Sequence, residues 1–223
     1  MSQGASPVDP DAAAAAAADA VRRLGHALTG HLPEGELLAR VEALASDLAA
    51  QIEQTPRRDK RQEMLERGRL GEFLRTGAWP GPVDDGASIE FDRFSIIGGR
   101  LSPFGMGAHY HRQGNEAHAR ITLGPAFEGP PTRAHGGVVA AVVDEVMATL
   151  LSVLGTVAYT GRLTVDYVRA APLGVELNFR SWLDRQEGRR LQIGCEGSAE
   201  GVVFVRGEGV FIEQDPARLL EFG

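Results

Sequence analysis

The segment HGGVVAAVVDEVMATLLSVL at residues 135–154 is the most apolar part of the chain and decides its fold. Apart from Asp144 and Glu145, almost every residue after its two glycines is apolar or small. A helix that is apolar on all sides has no face suited to water and must be buried. The segment is also short for crossing a bilayer comfortably, and it carries two acids. We therefore predict a helix from about Gly136 to Leu154 at the centre of a protein core, and no membrane span.

Strand-like patterns flank the central helix on both sides. Three precede it, at Ser88–Ile97, Gly107–Arg112 and Glu116–Leu123, and four follow it, at Val157–Arg169, Val175–Leu183, Arg189–Cys195 and Val202–Ile212. In the second of the later strands, apolar or small residues alternate with polar ones, which is typical of an antiparallel sheet with one buried face. Antiparallel strands around one long helix predict an α+β domain.

The first part of the chain has a different composition. We predict a disordered tail at residues 1–10, a helical extension with a linker at 11–86, the α+β domain at 87–215 and a C-terminal tail at 216–223. Within the extension, helices are expected from Asp11 to Gly30 and from Glu36 to Gln54, with a shorter one inside 57–75. The second of these carries an apolar stripe, formed by Leu37, Val41, Leu44, Leu48 and Ile52.

Composition narrows the classes of function. A formal net charge of −7 argues against a nucleic-acid-binding protein, which needs clustered cations to neutralise phosphates. The single cysteine, Cys195, excludes an intramolecular disulfide and is expected to be a packed, inert thiol. With no secretory pattern in view, a cytoplasmic setting is expected. His109, His111 and His118 can share a hairpin face, but no convincing fourth ligand accompanies them, so we expect no metal site.

Asp144 and Glu145 are unusual residues for a buried helix. Neighbouring residues on a helix point about 100° apart, so only one of the two can face a given surface. An ionised carboxylate there costs free energy unless it is paired, hydrogen-bonded or open to a ligand cleft. Two interpretations remain. Either the acids lie on a narrow exposed strip or pair with an arginine of the sheet, or one of them serves a functional site.

Two glycines, Gly136 and Gly137, begin the helix. They let backbone N–H groups approach a ligand, and these first N–H groups have no partner within the helix. Such a terminus can hold an anion, including the oxyanion that forms when a carbonyl is attacked. Gly137 and Asp144 are seven residues apart, about 10 Å along a helix, which is too far for both to act on one carbonyl. If both are catalytic, two antiparallel copies of the helix must share the site, and the protein is a homodimer.

A longer motif surrounds these residues. Phe127-Glu128-Gly129-Pro130-Pro131, then His135-Gly136-Gly137, then Asp144 nine residues after the histidine, resembles the hotdog-fold thioesterases. The pattern is most similar to the phenylacetic-acid-pathway (PaaI-like) and THEM4-like acyl-coenzyme A (acyl-CoA) thioesterases. The similarity continues through Thr160-Gly161-Arg162-Leu163-Thr164-Val165-Asp166-Tyr167 and covers roughly residues 95–213.

The resemblance implies a hotdog fold, in which a curved antiparallel sheet wraps one long helix. It implies two subunits at each site, in a dimer or a tetramer, and coenzyme A as the leaving group with no other cofactor. By position, Gly137 supplies the oxyanion N–H with support from Gly136, and His135 helps to position the thioester. Asp144 acts as general base for water or as nucleophile, and the hydroxyl of Thr160 orients the water.

The chain departs from the family pattern at two positions. Some relatives carry Asn or Gln six residues before the histidine, where this chain has Gly129, and many have Arg-Pro where it has Arg169-Ala170. The first ninety residues match no family element that we recognise. The arginine that holds the phosphates of CoA stays open among Arg133, Arg169, Arg180 and Arg206.

The sequence thus predicts an enzyme that hydrolyses acyl-CoA esters to free acid and CoA. Two alternatives remain: a hotdog enoyl-CoA hydratase or dehydratase, and a non-catalytic acyl-CoA-binding or regulatory protein with the same fold. The two glycines after His135 argue against the hydratase. Release of free thiol distinguishes the hydrolase from the binding protein.

Overall fold

The computed structural model describes residues 9–220. Most of the tail predicted at 1–10 lies outside the described residues, but Asp9 caps the first helix and Pro10 begins it. The end of the predicted C-terminal tail also lies outside them, after a short 3-10 turn at Pro216–Leu220. Four helices come first: α1 at Pro10–Gly30, α2 at Gly35–Glu53, α3 at Lys60–Glu66 and α4 at Gly68–Thr76.

One six-stranded sheet forms the body of the protein. Its strands are β1 at His109–Gln113, β2 at Glu116–Thr122, β3 at Ala158–Tyr167, β4 at Glu176–Glu187, β5 at Arg190–Ala199 and β6 at Val202–Glu213. Their order across the sheet is β1-β2-β4-β5-β6-β3, and every pairing is antiparallel. The sheet therefore has two edges, β1 and β3. This arrangement confirms the predicted α+β hotdog architecture.

The central helix, α5, spans Gly136–Leu154 and packs against all six strands. Length and composition alone would allow it to cross a membrane, but here it is the core of the domain. Its buried residues are Val139, Val142, Val143, Val146, Met147, Thr149, Leu150, Leu151, Ser152 and Val153. The helix start and a strip that runs from it along α5 are not fully buried, and they include Gly136, Gly137, Ala141, Asp144 and Ala148. We call this set the open strip.

The inward face of the sheet follows the alternation expected from the sequence. Leu177, Phe179 and Ser181 of β4 are buried, while the residues between them are exposed. Cys195 lies on β5 and is 1% exposed, within the core. Burial raises the pKa of its thiol to about 12, so the thiol stays protonated and unreactive at neutral pH, as predicted.

Some predicted elements were wrong. The segment Ser88–Ile97 is not a strand, because only Ser88 bridges to β1 and turns follow. Asp92 drives the first turn, since its carboxylate accepts from the Phe94 N–H at 2.9 Å. The single short helix predicted within 57–75 is two helices, α3 and α4, which meet at Arg67. Strands β4 and β5 continue to Glu187 and Ala199, four residues beyond their predicted ends.

Helix α1 contacts the domain at two places. The Ala126 N–H donates to His26 Nδ1 at 3.2 Å, and the His26 ring packs edge-on against Phe127. Asp11 pairs with Arg93 on the other side. Helix α2 has no buried residue, and its predicted apolar stripe remains exposed except at Val41, which is partly buried. Helix α1 thus holds the turn at residues 124–127 from which the chain enters the start of α5.

Candidate active site

Asp144 lies on the open strip of α5 with its side chain half buried. Its Oδ1 accepts a hydrogen bond from the Thr160 hydroxyl at 3.0 Å. Within residues 9–220, no arginine, lysine or histidine forms an ion pair with this carboxylate. The alternative in which Asp144 serves as half of a structural ion pair is therefore excluded for the described chain. Its second oxygen, Oδ2, remains available to a ligand or water.

A β-bulge aims Thr160 at the helix. Thr160 pairs with Phe211 and Arg162 with Val210, so Gly161 is the extra residue in the edge strand β3. Because side chains alternate along a strand, Thr160 and Leu163 would point to opposite faces of a regular one. The extra residue turns both toward α5, and a Cβ at Gly161 would lie 3.2 Å from the Ile212 side chain. The bulge thus brings the hydroxyl to the carboxylate.

The start of α5 is organised around His135, the N-cap residue. Its Nδ1 accepts from the Gly137 N–H at 3.1 Å, which requires the neutral imidazole with its proton on Nε2. The Nε2–H is then a donor on an exposed side chain. Within the described chain the Gly136 N–H has no hydrogen-bond acceptor. The unengaged donor at the helix start is thus that of Gly136, whereas the sequence pointed first to Gly137.

Gly129 faces the helix start, at the position where some relatives carry Asn or Gln. Its N–H donates to the Arg133 carbonyl at 2.9 Å, which closes the turn before the helix. A Cβ at this position would lie 2.9 Å from the Cα of His135. No larger residue fits unless the turn shifts. With glycine at residue 129, no side-chain amide reaches the helix start from this position.

The two halves of the candidate site lie at opposite ends of the open strip. Strand β3 runs beside α5 and touches both ends. Thr160 bonds to Asp144 at one end, and the Tyr167 hydroxyl bonds to the Gly136 carbonyl at the other. Eight residues of helix separate Gly136 from Asp144, a rise of about 12 Å. One chain therefore presents an acid end and a donor end that cannot act together on the same carbonyl.

Glu145 points away from the open strip, and its carboxylate is held by hydrogen bonds to the segment before β1 and to β1 itself. Its carboxylate accepts from the Gly98 N–H at 2.9 Å, the Tyr110 hydroxyl at 2.5 Å and the Ser95 hydroxyl. Burial, followed by the charge and the hydrogen bond of Glu145, raises the pKa of Tyr110 above its ordinary value. Tyr110 therefore remains a donor. These contacts tie the irregular segment before β1 to the central helix.

Exchange of Glu145→Gln is expected to cost stability and spare activity. An amide keeps one acceptor but loses the charge that strengthens three hydrogen bonds, so the free energy of unfolding should fall by about 1–2 kcal/mol. The rate of turnover should stay within about twofold of wild type because the side chain does not reach the open strip. Denaturant unfolding and steady-state assays measure the two effects. A large loss of turnover with unchanged stability would contradict this assignment.

The remaining candidate residues lie elsewhere. His111 and His118 are cross-strand neighbours with ring centroids 5.4 Å apart, and His118 contacts Glu116. No group of three or more metal-ligating side chains converges within residues 9–220. Arg180 and Arg206 both pair with Glu196 across the outer face of the sheet. They face away from α5, so Arg133 and Arg169 remain of the four arginines that the sequence left open.

The part of the chain that carries these residues is similar in sequence to known proteins. Residues 132–204 match the family model of the thioesterase superfamily, which is the family that the sequence motifs resemble. The acyl-coenzyme A thioesterase THEM4 of Xenopus laevis is 33% identical over 100 residues, which make up 43% of this chain and 45% of that protein. THEM4 of Rattus norvegicus is 29% identical over 122 residues, 52% and 53% of the two chains. The chain thus spans about half the length of the curated relatives it matches.

A solved structure extends the likeness to nearly the whole chain. The crystal structure described as protein RHA08564, thioesterase superfamily protein, superposes with a TM-score of 0.71 over 93% of each chain. The two sequences are 23% identical, so the likeness concerns the fold. It covers the N-terminal helices as well as the hotdog domain.

Proposed function

We propose that this chain hydrolyses acyl-CoA thioesters to a free acid and CoA. The observation that carries the proposal is the Asp144–Thr160 pair, with an Oγ1–Oδ1 distance of 3.0 Å, on the accessible strip of an otherwise buried helix. A carboxylate without a cation, held by one hydroxyl and open on its other oxygen, is suited to accept a proton from water.

The chemistry follows from the donors and acceptors at each end of the strip. Because the Thr160 hydroxyl donates to Asp144, its oxygen can still accept from a water molecule. The same water can donate its other proton to Oδ2 of Asp144, which leaves a lone pair for the thioester carbon. Attack moves that proton to Asp144 and the carbonyl π electrons to oxygen. Collapse of the tetrahedral intermediate then breaks the C–S bond and releases the CoA thiolate, which takes up the proton.

Among the described residues, the donor at the start of α5 lies too far along the helix to serve the Asp144 of its own chain. The unengaged Gly136 N–H lies about 12 Å along the helix, and in an antiparallel copy it would face Asp144. We therefore propose a homodimer with two shared sites, in which Gly136 is the principal donor and the Gly137 N–H, engaged with His135, assists. Within the part of the chain that the structure describes, β3 is an edge strand that pairs only with β6, which supports this because an edge strand can continue a sheet into a second copy.

His135 and two arginines are the remaining residues to which we assign a contact with the substrate. The His135 Nε2–H would donate to the substrate near its carbonyl, and Arg133 and Arg169 would lie near the CoA phosphates. The reaction needs no cofactor beyond the CoA of the substrate. We also propose a cytoplasmic setting, where acyl-CoA esters and a reduced Cys195 are both expected.

The test is the release of free thiol from a panel of acyl-CoA esters by wild-type protein. Short, medium and long straight-chain esters, an aryl-acyl ester and an enoyl ester should be included, because in the proposed dimer the second copy would complete the acyl pocket. Turnover of at least one ester supports the proposal. Tight binding without thiol release would instead favour the non-catalytic acyl-CoA-binding protein, and loss of an enoyl chromophore without thiol release would favour the hydratase.

A further inference from the structure

Tyr167 makes a hydrogen bond that the helix does not need. Its hydroxyl donates to the Gly136 carbonyl at 2.8 Å. In an α-helix this carbonyl already accepts from the N–H four residues later, whereas the groups without partners at a helix start are N–H donors. The tyrosine therefore satisfies no orphaned group. Its side chain is also 53% exposed, so it is not a core packing residue.

The bond acts on a peptide unit that is held at both ends. The Gly136 carbonyl and the Gly137 N–H belong to the same planar peptide group. Tyr167 holds the oxygen of this group, and His135 Nδ1 holds its N–H at 3.1 Å. On the other side of Gly136, the His135 carbonyl accepts from the N–H groups of Val138 and Val139 at 3.0 and 3.2 Å. Both peptide groups that flank Gly136 are thus fixed.

Such restraint matters because glycine is the residue with the greatest backbone freedom. Two successive glycines at a helix start can rotate, and rotation at Gly136 would change the direction of its N–H. Stabilisation of an oxyanion depends on donors that already point at the developing charge before the reaction. The Tyr167 hydroxyl holds the next peptide group, between Gly136 and Gly137, and so limits rotation at Gly136 without touching the substrate.

We propose that Tyr167 is a positioning residue that fixes the direction of the Gly136 N–H toward the thioester carbonyl. The inference rests on the proposed hydrolase function and adds a residue to it. Thr160 and Tyr167, at opposite ends of the same edge strand, would then prepare the two halves of the site. Thr160 orients the acid end, and Tyr167 orients the donor end.

The test is Tyr167→Phe, which keeps the ring and removes the hydroxyl. The value of kcat should fall by about tenfold, less than for loss of an oxyanion donor itself, while KM stays within about threefold. The melting temperature should change by no more than a few degrees because the ring remains in place. Tyr159→Phe makes the same change at the other tyrosine of β3 and should leave kcat near the wild-type value.

A spectroscopic readout separates positioning from general support of the fold. In an Asp144→Asn background, an acyl-CoA ester labelled with carbon-13 at the carbonyl can be bound without turnover. Its infrared carbonyl band should shift to lower frequency on binding, and Tyr167→Phe should reduce and broaden that shift.

Equal kcat and an equal carbonyl band in Tyr167→Phe would overturn the inference alone and leave the hydrolase intact. A rise in KM with kcat unchanged would also overturn it, because the hydroxyl would then be a binding contact. Absence of thiol release by the wild type would overturn the proposed function and this inference with it.

Discussion

Asp144→Asn should lower kcat by about a hundredfold or more while the protein stays folded. Asparagine has nearly the same shape, and its amide oxygen can still accept from the Thr160 hydroxyl, which now bonds to Asp144 at 3.0 Å. What the exchange removes is the negative charge that would take the proton from water. Since no cation pairs with Asp144 in the described chain, its loss leaves no buried charge uncompensated. Stability should therefore be equal to that of wild type or higher.

The matched control is Glu145→Gln, the same chemical change one residue along the helix. Steady-state release of thiol gives kcat and KM, and thermal unfolding gives stability. The expected pattern is opposite for the two variants: Asp144→Asn loses turnover and keeps stability, whereas Glu145→Gln keeps turnover and loses stability. Comparable turnover by wild type and Asp144→Asn would remove Asp144 from the mechanism.

Gly136→Pro should be the second severe variant, with kcat about a hundred- to a thousandfold below wild type. Proline has no N–H, so it deletes the proposed oxyanion donor. The fold should accept it, because Gly136 is the first residue of α5 and proline is favoured at that position. His135 before it has φ −63° and ψ 133°, an extended conformation that a following proline permits. A Cβ at Gly136 would meet no atom closer than 3.5 Å.

Gly136→Ala is the control for this substitution, since alanine adds a Cβ but keeps the N–H. It should retain a large part of the wild-type kcat, and circular dichroism should show the same helix content in both variants. If the proline variant stayed as active as the alanine variant, the Gly136 N–H would not be the donor. The Gly137 N–H would then be the oxyanion donor, and it would have to break its hydrogen bond to His135 Nδ1 to act.

The central helix and its acids were predictable because they depend on local patterns. An apolar run without a solvated face must be buried, and a carboxylate inside it at a helical position is visible from the sequence alone. The antiparallel strands after the helix were predictable for the same reason, from the alternation at Leu177 and Phe179. The absence of a strand at Ser88–Ile97 was not predictable from the alternation of apolar residues there, because Asp92 starts a turn within the segment.

The contacts that complete the site depend on features that a sequence pattern does not specify. Thr160 and Tyr167 are seven residues apart, so in a regular strand they would face opposite sides of the sheet. Only the bulge at Gly161 brings both to α5. Likewise, the choice between Gly136 and Gly137 as donor depends on which N–H the N-cap His135 engages, and that is a matter of side-chain geometry.

The central claim is that each active site takes its acid from one chain and its oxyanion donor from another. Asp144→Asn and Gly136→Pro are each expected to be inactive as homodimers, but they damage different halves. A heterodimer of the two contains one site with both halves damaged and one with both intact. Co-expression with two different affinity tags and sequential purification isolates this heterodimer, and thiol release measures its activity.

If the sites are shared, the heterodimer should recover about half of the wild-type activity per dimer, with a wild-type KM. If instead each site lay within a single chain, both chains of the heterodimer would be defective and activity would stay at the level of the parent variants. That second result, obtained with a heterodimer of confirmed composition, would contradict the shared site.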